Sequence, residues 1–170
     1  GALEPRCLAA AEDTVEARSP PPRSESTAIG ETPDRTATSP GSFWRDPEMT
    51  LSVLFVSVRG LHSPDGRSKP SPYCCCEITG KRQSRARTPA LESTLAPLWS
   101  HWANVHGYTA GDSLTFCVWS KTPPGRQDEL LGKAVLESGR IRPPGFEGEL
   151  ALAEPTRRQE ARLKVRVTFA

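Results

Sequence analysis

From Thr50 onward the chain is a succession of short runs in which apolar side chains fall at every second position, separated by glycine, proline and polar clusters. The clearest run is the last, "ARLKVRVTF" (161–169), where Leu163, Val165, Val167 and Phe169 share one side. In "DSLTFCVW" (112–119) Leu114, Phe116 and Val118 do the same. A period of two puts one side of an extended strand into a core and the other toward solvent, which a helix cannot do with this spacing. Eight such segments are predicted: 51–58, 72–78, 83–88, 101–107, 112–119, 130–136, 148–152 and 161–169. "LSVLFVSV" (51–58) alternates only imperfectly. Many short strands with turn signals between them predict an all-β fold, an eight-stranded antiparallel sandwich.

The first 48 residues have a different texture. Positions 19–42, "SPPPRSESTAIGETPDRTATSPGS", are dense in Pro, Ser, Thr and charge and nearly devoid of large apolar groups. Such a segment buries too little surface to offset the entropy of ordering it, so residues 1–48 are expected to be a disordered tail and 49–170 the folded domain. The only methionine, Met49, directly precedes the first strand-like run, so the chain is expected to be a fragment or to have an alternative start there.

Charge divides at the same place. Residues 1–49 hold five basic and nine acidic side chains, whereas 50–170 hold seventeen and eleven, a balance of +6. A cationic domain favours acidic partners without choosing among them. The longest apolar runs are a few residues, far short of the ~20 a membrane-spanning helix needs. No basic stretch followed by an apolar one opens the chain, and Glu12, Asp13 and Glu16 argue against a mitochondrial leader, so the expected location is the cytoplasm.

Three of the five cysteines are consecutive, in "SPYCCCEITG" (71–80). On a strand, Cys74, Cys75 and Cys76 point alternately to opposite faces and cannot converge on one ion, and His62, His101 and His106 have no zinc-ligand spacing. No cysteine and histidine motif and no glycine-rich phosphate loop accompanies them, so no enzymatic activity is expected.

Four passages, in order, resemble the C2 domain, the calcium- and lipid-binding β-sandwich family. "LSVLFVSVRGLHSPDG" looks like its opening strand and first loop. "SKPSPYCCCEITGKRQSRART" looks like its Ser-Asp-Pro-Tyr strand and the basic strand after it. "STLAPLWSHW" is similar to its Thr-Leu-Asn-Pro-x-Trp turn, and "DSLTFCVWSKTPPGRQDELLGKAVL" to its Leu-x-Phe-x-Val-x-Asp strand, third loop and Leu-Gly strand. With the Leu-x-Val strand first and "ARLKVRVTF" last, the resemblance implies the circularly permuted, phospholipase-like strand order. It also implies that Cys74, Cys76 and Ile78 face inward, leaving Cys75 as the one candidate for modification. Trp99, Trp102 and Trp119 are expected to pack in the core or on the sheet, and no nucleic-acid partner is expected.

Calcium-binding members of the family use about five acidic side chains from the first and third loops, in keeping with the 6 to 8 oxygens the ion takes. Here Asp65 matches the first, but Ser71, Ser120 and Thr122 stand at the next three. Only Asp65, Asp128 and Glu129 remain as residual calcium positions, so no cofactor is expected. The third loop, "SKTPPGRQDE", has no aromatic or long aliphatic tip to enter a bilayer.

What the resemblance leaves is a basic strand. Arg85 and Arg87 share a face at a spacing of two, and Lys81 and Arg82, expected in the turn before them, extend the charge. Each such cation near an anionic membrane contributes ~1 kcal/mol. The implied function is a peripheral module that binds acidic phospholipid through Lys81, Arg82, Arg85 and Arg87, mostly without calcium. The alternatives are a protein-interaction module on the same scaffold and weak calcium-dependent phospholipid binding.

Overall fold

A computed structural model describes residues 46–153 and 161–170. The expected tail lies outside the described residues except for positions 46–48. All eight predicted segments are strands: β1 (Met49–Arg59), β2 (Pro72–Ile78), β3 (Lys81–Arg87), β4 (Leu98–Tyr108), β5 (Leu114–Ser120), β6 (Glu129–Leu136), β7 (Gly145–Leu152) and β8 (Ala161–Phe169). One short 3-10 turn, Ser138–Arg140, follows β6.

The strands form two antiparallel four-stranded sheets, in the orders β4-β1-β8-β7 and β3-β2-β5-β6. The last strand returns beside the first, as the permuted order requires. Inward-facing Leu51, Val53 and Phe55 of β1 and Leu163, Val165 and Val167 of β8 meet Cys74, Cys76 and Ile78 of β2 and Leu114, Phe116 and Val118 of β5 in one core. Phe55 and Phe116 cross the interface edge to face, with ring centroids 6.2 Å apart. Truncating a buried phenylalanine of this kind costs about 3–5 kcal/mol.

The imperfect alternation of β1 has a local cause. Its pairing with both β4 and β8 slips between Phe55 and Ser57, so Val58 rather than Ser57 returns to the core. This β-bulge keeps a strand with four apolar residues in sequence, Val53 to Val56, in register on both sides.

Across the open side of the sandwich, Lys133 of β6 and Ala153 beyond β7 exchange backbone hydrogen bonds of 3.0 and 2.8 Å. The adjacent Gly132 has no side chain to spare, because a Cβ there would lie 2.9 Å from that of Leu152. At one end, the loop 60–71 between β1 and β2 meets the loop 121–128 between β5 and β6, where the Lys121 amide donates to the Ser71 carbonyl at 2.9 Å.

Candidate functional site

The basic strand β3 is the edge of the second sheet, and strand register decides what its side chains stand beside. Arg87 lies opposite Cys75, Cys75 opposite Cys117, and Cys117 opposite Lys133, so one row crosses all four strands with a cation at each end. The two cysteines are buried, at 1% and 2% exposure. They form a low floor, since cysteine is small and packs as an apolar residue.

On that floor the Arg85 guanidinium places Nη2 3.7 Å from the Cys75 sulfur. The Arg87 guanidinium carbon sits 4.4 Å from the centroid of the Tyr73 ring, while its side chain stays exposed. A cation over an aromatic face is held in place, and a guanidinium suits a phosphate oxygen pair. Arg82, expected in the turn, is exposed at the second position of β3, and Lys133 at the far edge of the sheet is half-exposed.

Tyr73 is fixed from the loop end. Its hydroxyl donates to Asp128 Oδ2 at 2.7 Å, while Asp128 Oδ1 accepts from the Thr122 amide at 2.8 Å and the Thr122 hydroxyl at 3.2 Å. Burial, and then the Asp128 carboxylate, push the Tyr73 hydroxyl well above the ordinary tyrosine range, so it remains a donor. Asp128 therefore closes the 121–128 loop and positions the ring under Arg87.

The structure separates Lys81 from this patch. Lys81 opens β3 rather than lying in the turn, and its ammonium donates to Asp112 Oδ2 at 2.6 Å, the Gly107 carbonyl at 2.9 Å and the Thr109 hydroxyl at 3.2 Å. It is a clamp between β3 and the turn after β4. Burial pushes the Asp112 carboxyl up, but the bonds from Lys81 and from the Thr109 amide and hydroxyl outweigh it and leave the group below the usual carboxylate range.

The residual calcium positions are likewise engaged. Asp65 accepts from the Ser63 hydroxyl, the Arg67 amide at 2.9 Å, the Ser68 amide at 3.0 Å and the Ser68 hydroxyl at 2.6 Å. Those bonds, the Ser63 hydroxyl first, hold its carboxyl far below the ordinary range. Glu129 begins β6, exposed and opposite Ser120. Ser120 in turn accepts from the Ser71 amide at 3.2 Å, and the Ser71 hydroxyl accepts from the Ser93 amide at 3.4 Å. Among the described residues no group of three His, Cys, Asp or Glu side chains is placed to hold a metal ion. Two carboxylates spent on their own loops and one surface glutamate do not fit a calcium ion's need for oxygens.

Two expectations are corrected. Cys75 does face away from the core, but neighbouring strands and Arg85 bury it, so it is not an accessible thiol. Trp99 and Trp119 are packed as expected, whereas Trp102 is 52% exposed on the outer face of the first sheet. Cys117, Lys133 and the bond from Tyr73 to Asp128 were not singled out from sequence. The first two had a signal, since both fall at outward positions in alternating strands. The third joins residues 55 apart in sequence and had none.

The profile of the family described as C2 domain matches residues 49–152. Among solved structures, the C2A domain of plant Extended Synaptotagmin 1 superposes with a TM-score of 0.65 at 20% identity, covering 74% of this chain and 96% of that one. The C2A and C2B domains of Extended-Synaptotagmin 2 give 0.56 at 16%, over 89% of this chain and 48% of that one. Human GIVD cytosolic phospholipase A2 gives 0.59 at 17%, over 73% of this chain but only 17% of the other. No curated protein matches by sequence.

Proposed function

The chain belongs to the C2 domain family, and from that premise we propose that residues 49–170 are a peripheral membrane-targeting domain that grips acidic phospholipid through Arg85 and Arg87, with Arg82 earlier on the same strand and Lys133 at the far edge of the sheet. The observation that carries this is the mounting of the two guanidiniums, one against the Cys75 sulfur and the other over Tyr73. An arginine already held in place loses less freedom when it binds a phosphate than one ordered only by the ligand. Lys81 serves the fold and not the lipid.

Binding is proposed to be largely independent of calcium, because Asp65 and Asp128 already accept hydrogen bonds from their own loops. The proposed location is cytoplasmic and peripheral to a membrane. No helix among the described residues is long and apolar enough to span one. The role is that of a binding module rather than an enzyme, and the likeness to the phospholipase spans too little of that protein to bring catalysis with it.

The test is sedimentation of the full chain with phosphatidylserine or phosphoinositide vesicles in chelator. Binding that persists in chelator, weakens with salt and falls on Arg85→Ala with Arg87→Ala supports the proposal. No binding at low salt overturns it and points to a protein partner for the same scaffold.

A further inference from the structure

The outer face of the first sheet also carries a basic strand. Because Leu163, Val165 and Val167 of β8 face the core, the residues that alternate with them, Arg162, Lys164 and Arg166, all face outward. Across the sheet Leu54 of β1 lies opposite both Arg166 and Trp102, and Ser57 lies opposite both Lys164 and Leu98. The column of cations therefore lies one strand away, across β1, from an apolar strip at the β4 edge, where Leu98 is 66% and Trp102 52% exposed. Two glutamates of β7 partly balance the charge. Glu147 accepts from Arg166 at 2.8 Å and Glu149 from Arg59 at 2.7 Å, leaving four cations against two carboxylates on this face.

Exposed tryptophan and leucine flanking long cationic side chains match the layering of a bilayer surface. The rings and aliphatic groups sit at the headgroup boundary, and the Lys and Arg heads reach phosphates. The two sheets pack face to face, so their outer faces look in opposite directions. A bilayer lying flat on the outer face of the second sheet, over Arg85 and Arg87, is therefore turned away from Trp102.

We infer that the outer face of the first sheet is a second contact for acidic phospholipid, through Leu98, Trp102 and Lys164, and that the domain can hold two membranes at once. The bridging part rests on the proposed lipid contact of β3, whereas the contact at Trp102 stands by itself.

The experiment adds the full chain to phosphatidylserine-containing vesicles in chelator, following sedimentation, particle size by light scattering and tryptophan emission. The wild type is expected to raise particle size several-fold, and the emission of Trp102, isolated by comparison with Trp102→Phe, to shift to the blue. Trp102→Ser with Lys164→Glu is expected to sediment still but not to cluster vesicles. Lys164→Glu alone, a surface change that leaves the apolar strip intact, is expected to weaken clustering. Arg85→Ala with Arg87→Ala is expected to abolish clustering while retaining the Trp102 shift.

Sedimentation without clustering and without a Trp102 shift overturns the inference and marks the apolar strip as a protein contact. Clustering that survives Trp102→Ser with Lys164→Glu also overturns it. If Arg85→Ala with Arg87→Ala leaves sedimentation unchanged while the Trp102 shift persists, the β3 proposal fails, bridging with it, and the second contact stands.

Discussion

The loop end of the sandwich and the outer face of its second sheet both carry charges at places where this family interacts with ligands, but the two regions use them differently. At the loop end, Asp65 and Asp128 accept hydrogen bonds from their own turns and from Tyr73. On the sheet, Arg87 is held over the face of the Tyr73 ring and its side chain stays exposed. Lys81 makes the point within one strand, since it lies only four residues from Arg85 yet three oxygens occupy its ammonium. What each group can offer a ligand is thus set by its surroundings, not by its charge alone.

The hardest blow to this contrast is Asp128→Ala, because Asp128 belongs to both regions. It leaves the Tyr73 hydroxyl without its acceptor and opens the 121–128 loop, and loss of charge-assisted bonds of this kind costs about 2–3 kcal/mol. Chemical denaturation measures it, and vesicle affinity is expected to fall as well because the ring under Arg87 is released. Unchanged stability would show that Asp128 is not a structural acid.

Next in size is Arg85→Ala with Arg87→Ala. At ~1 kcal/mol per cation near an anionic membrane, vesicle affinity is expected to fall about 30-fold with little change in melting temperature. Lys81→Met should do the reverse. Its side chain is 40% exposed, so solvent screening limits the loss of stability to about 1 kcal/mol, while vesicle affinity changes less than about threefold.

The Lys81 effect also has a pH signature. The folded Asp112 carboxyl lies below its ordinary value, so its contribution is full above the unfolded carboxylate pKa of ~3.9 and is lost as pH falls through the folded value. Wild type and Lys81→Met are therefore expected to differ in stability from neutral pH down to about pH 4 and to converge below it. A gap that persists in strong acid would show that the clamp is not ionic.

The smallest expected effect is on calcium response. Vesicle binding in about 1 mM calcium and in chelator should differ less than about twofold, for the wild type and for Asp65→Asn alike. A clear calcium-dependent gain lost on Asp65→Asn would place the loop end among working metal sites.

The fold was almost fully legible because a period of two survives in most strands, and its lapse in β1 marks a bulge. The predicted start of β4 at position 101 misses Leu98, Trp99 and Ser100, where Pro97 and the positive φ of Ser100, 46°, interrupt the pattern. The site was less legible. Alternation gives the side of a sheet but not what covers it, so the direction of Cys75 was readable and its burial under Arg85 was not. The engagement of Lys81 by Asp112 spans 31 residues and depends on how two turns meet, which no local pattern encodes. In "ARLKVRVTF" the apolar period drew attention to the inward residues and hid that the outward ones are a second basic strand.

The neighbouring placement of the first and last strands has a mechanical consequence. Leu51 lies opposite Phe169 and Arg59 opposite Arg162, so the start of β1 and the end of β8 lie side by side at the same end of the sheet. A force pulling those two points apart loads the hydrogen bonds between the strands one after another, like a zipper, instead of all together as in shear. Tension applied through positions 49 and 169 would therefore peel β1 from β8 at low load, while tension entering across the strand faces would meet the whole sandwich.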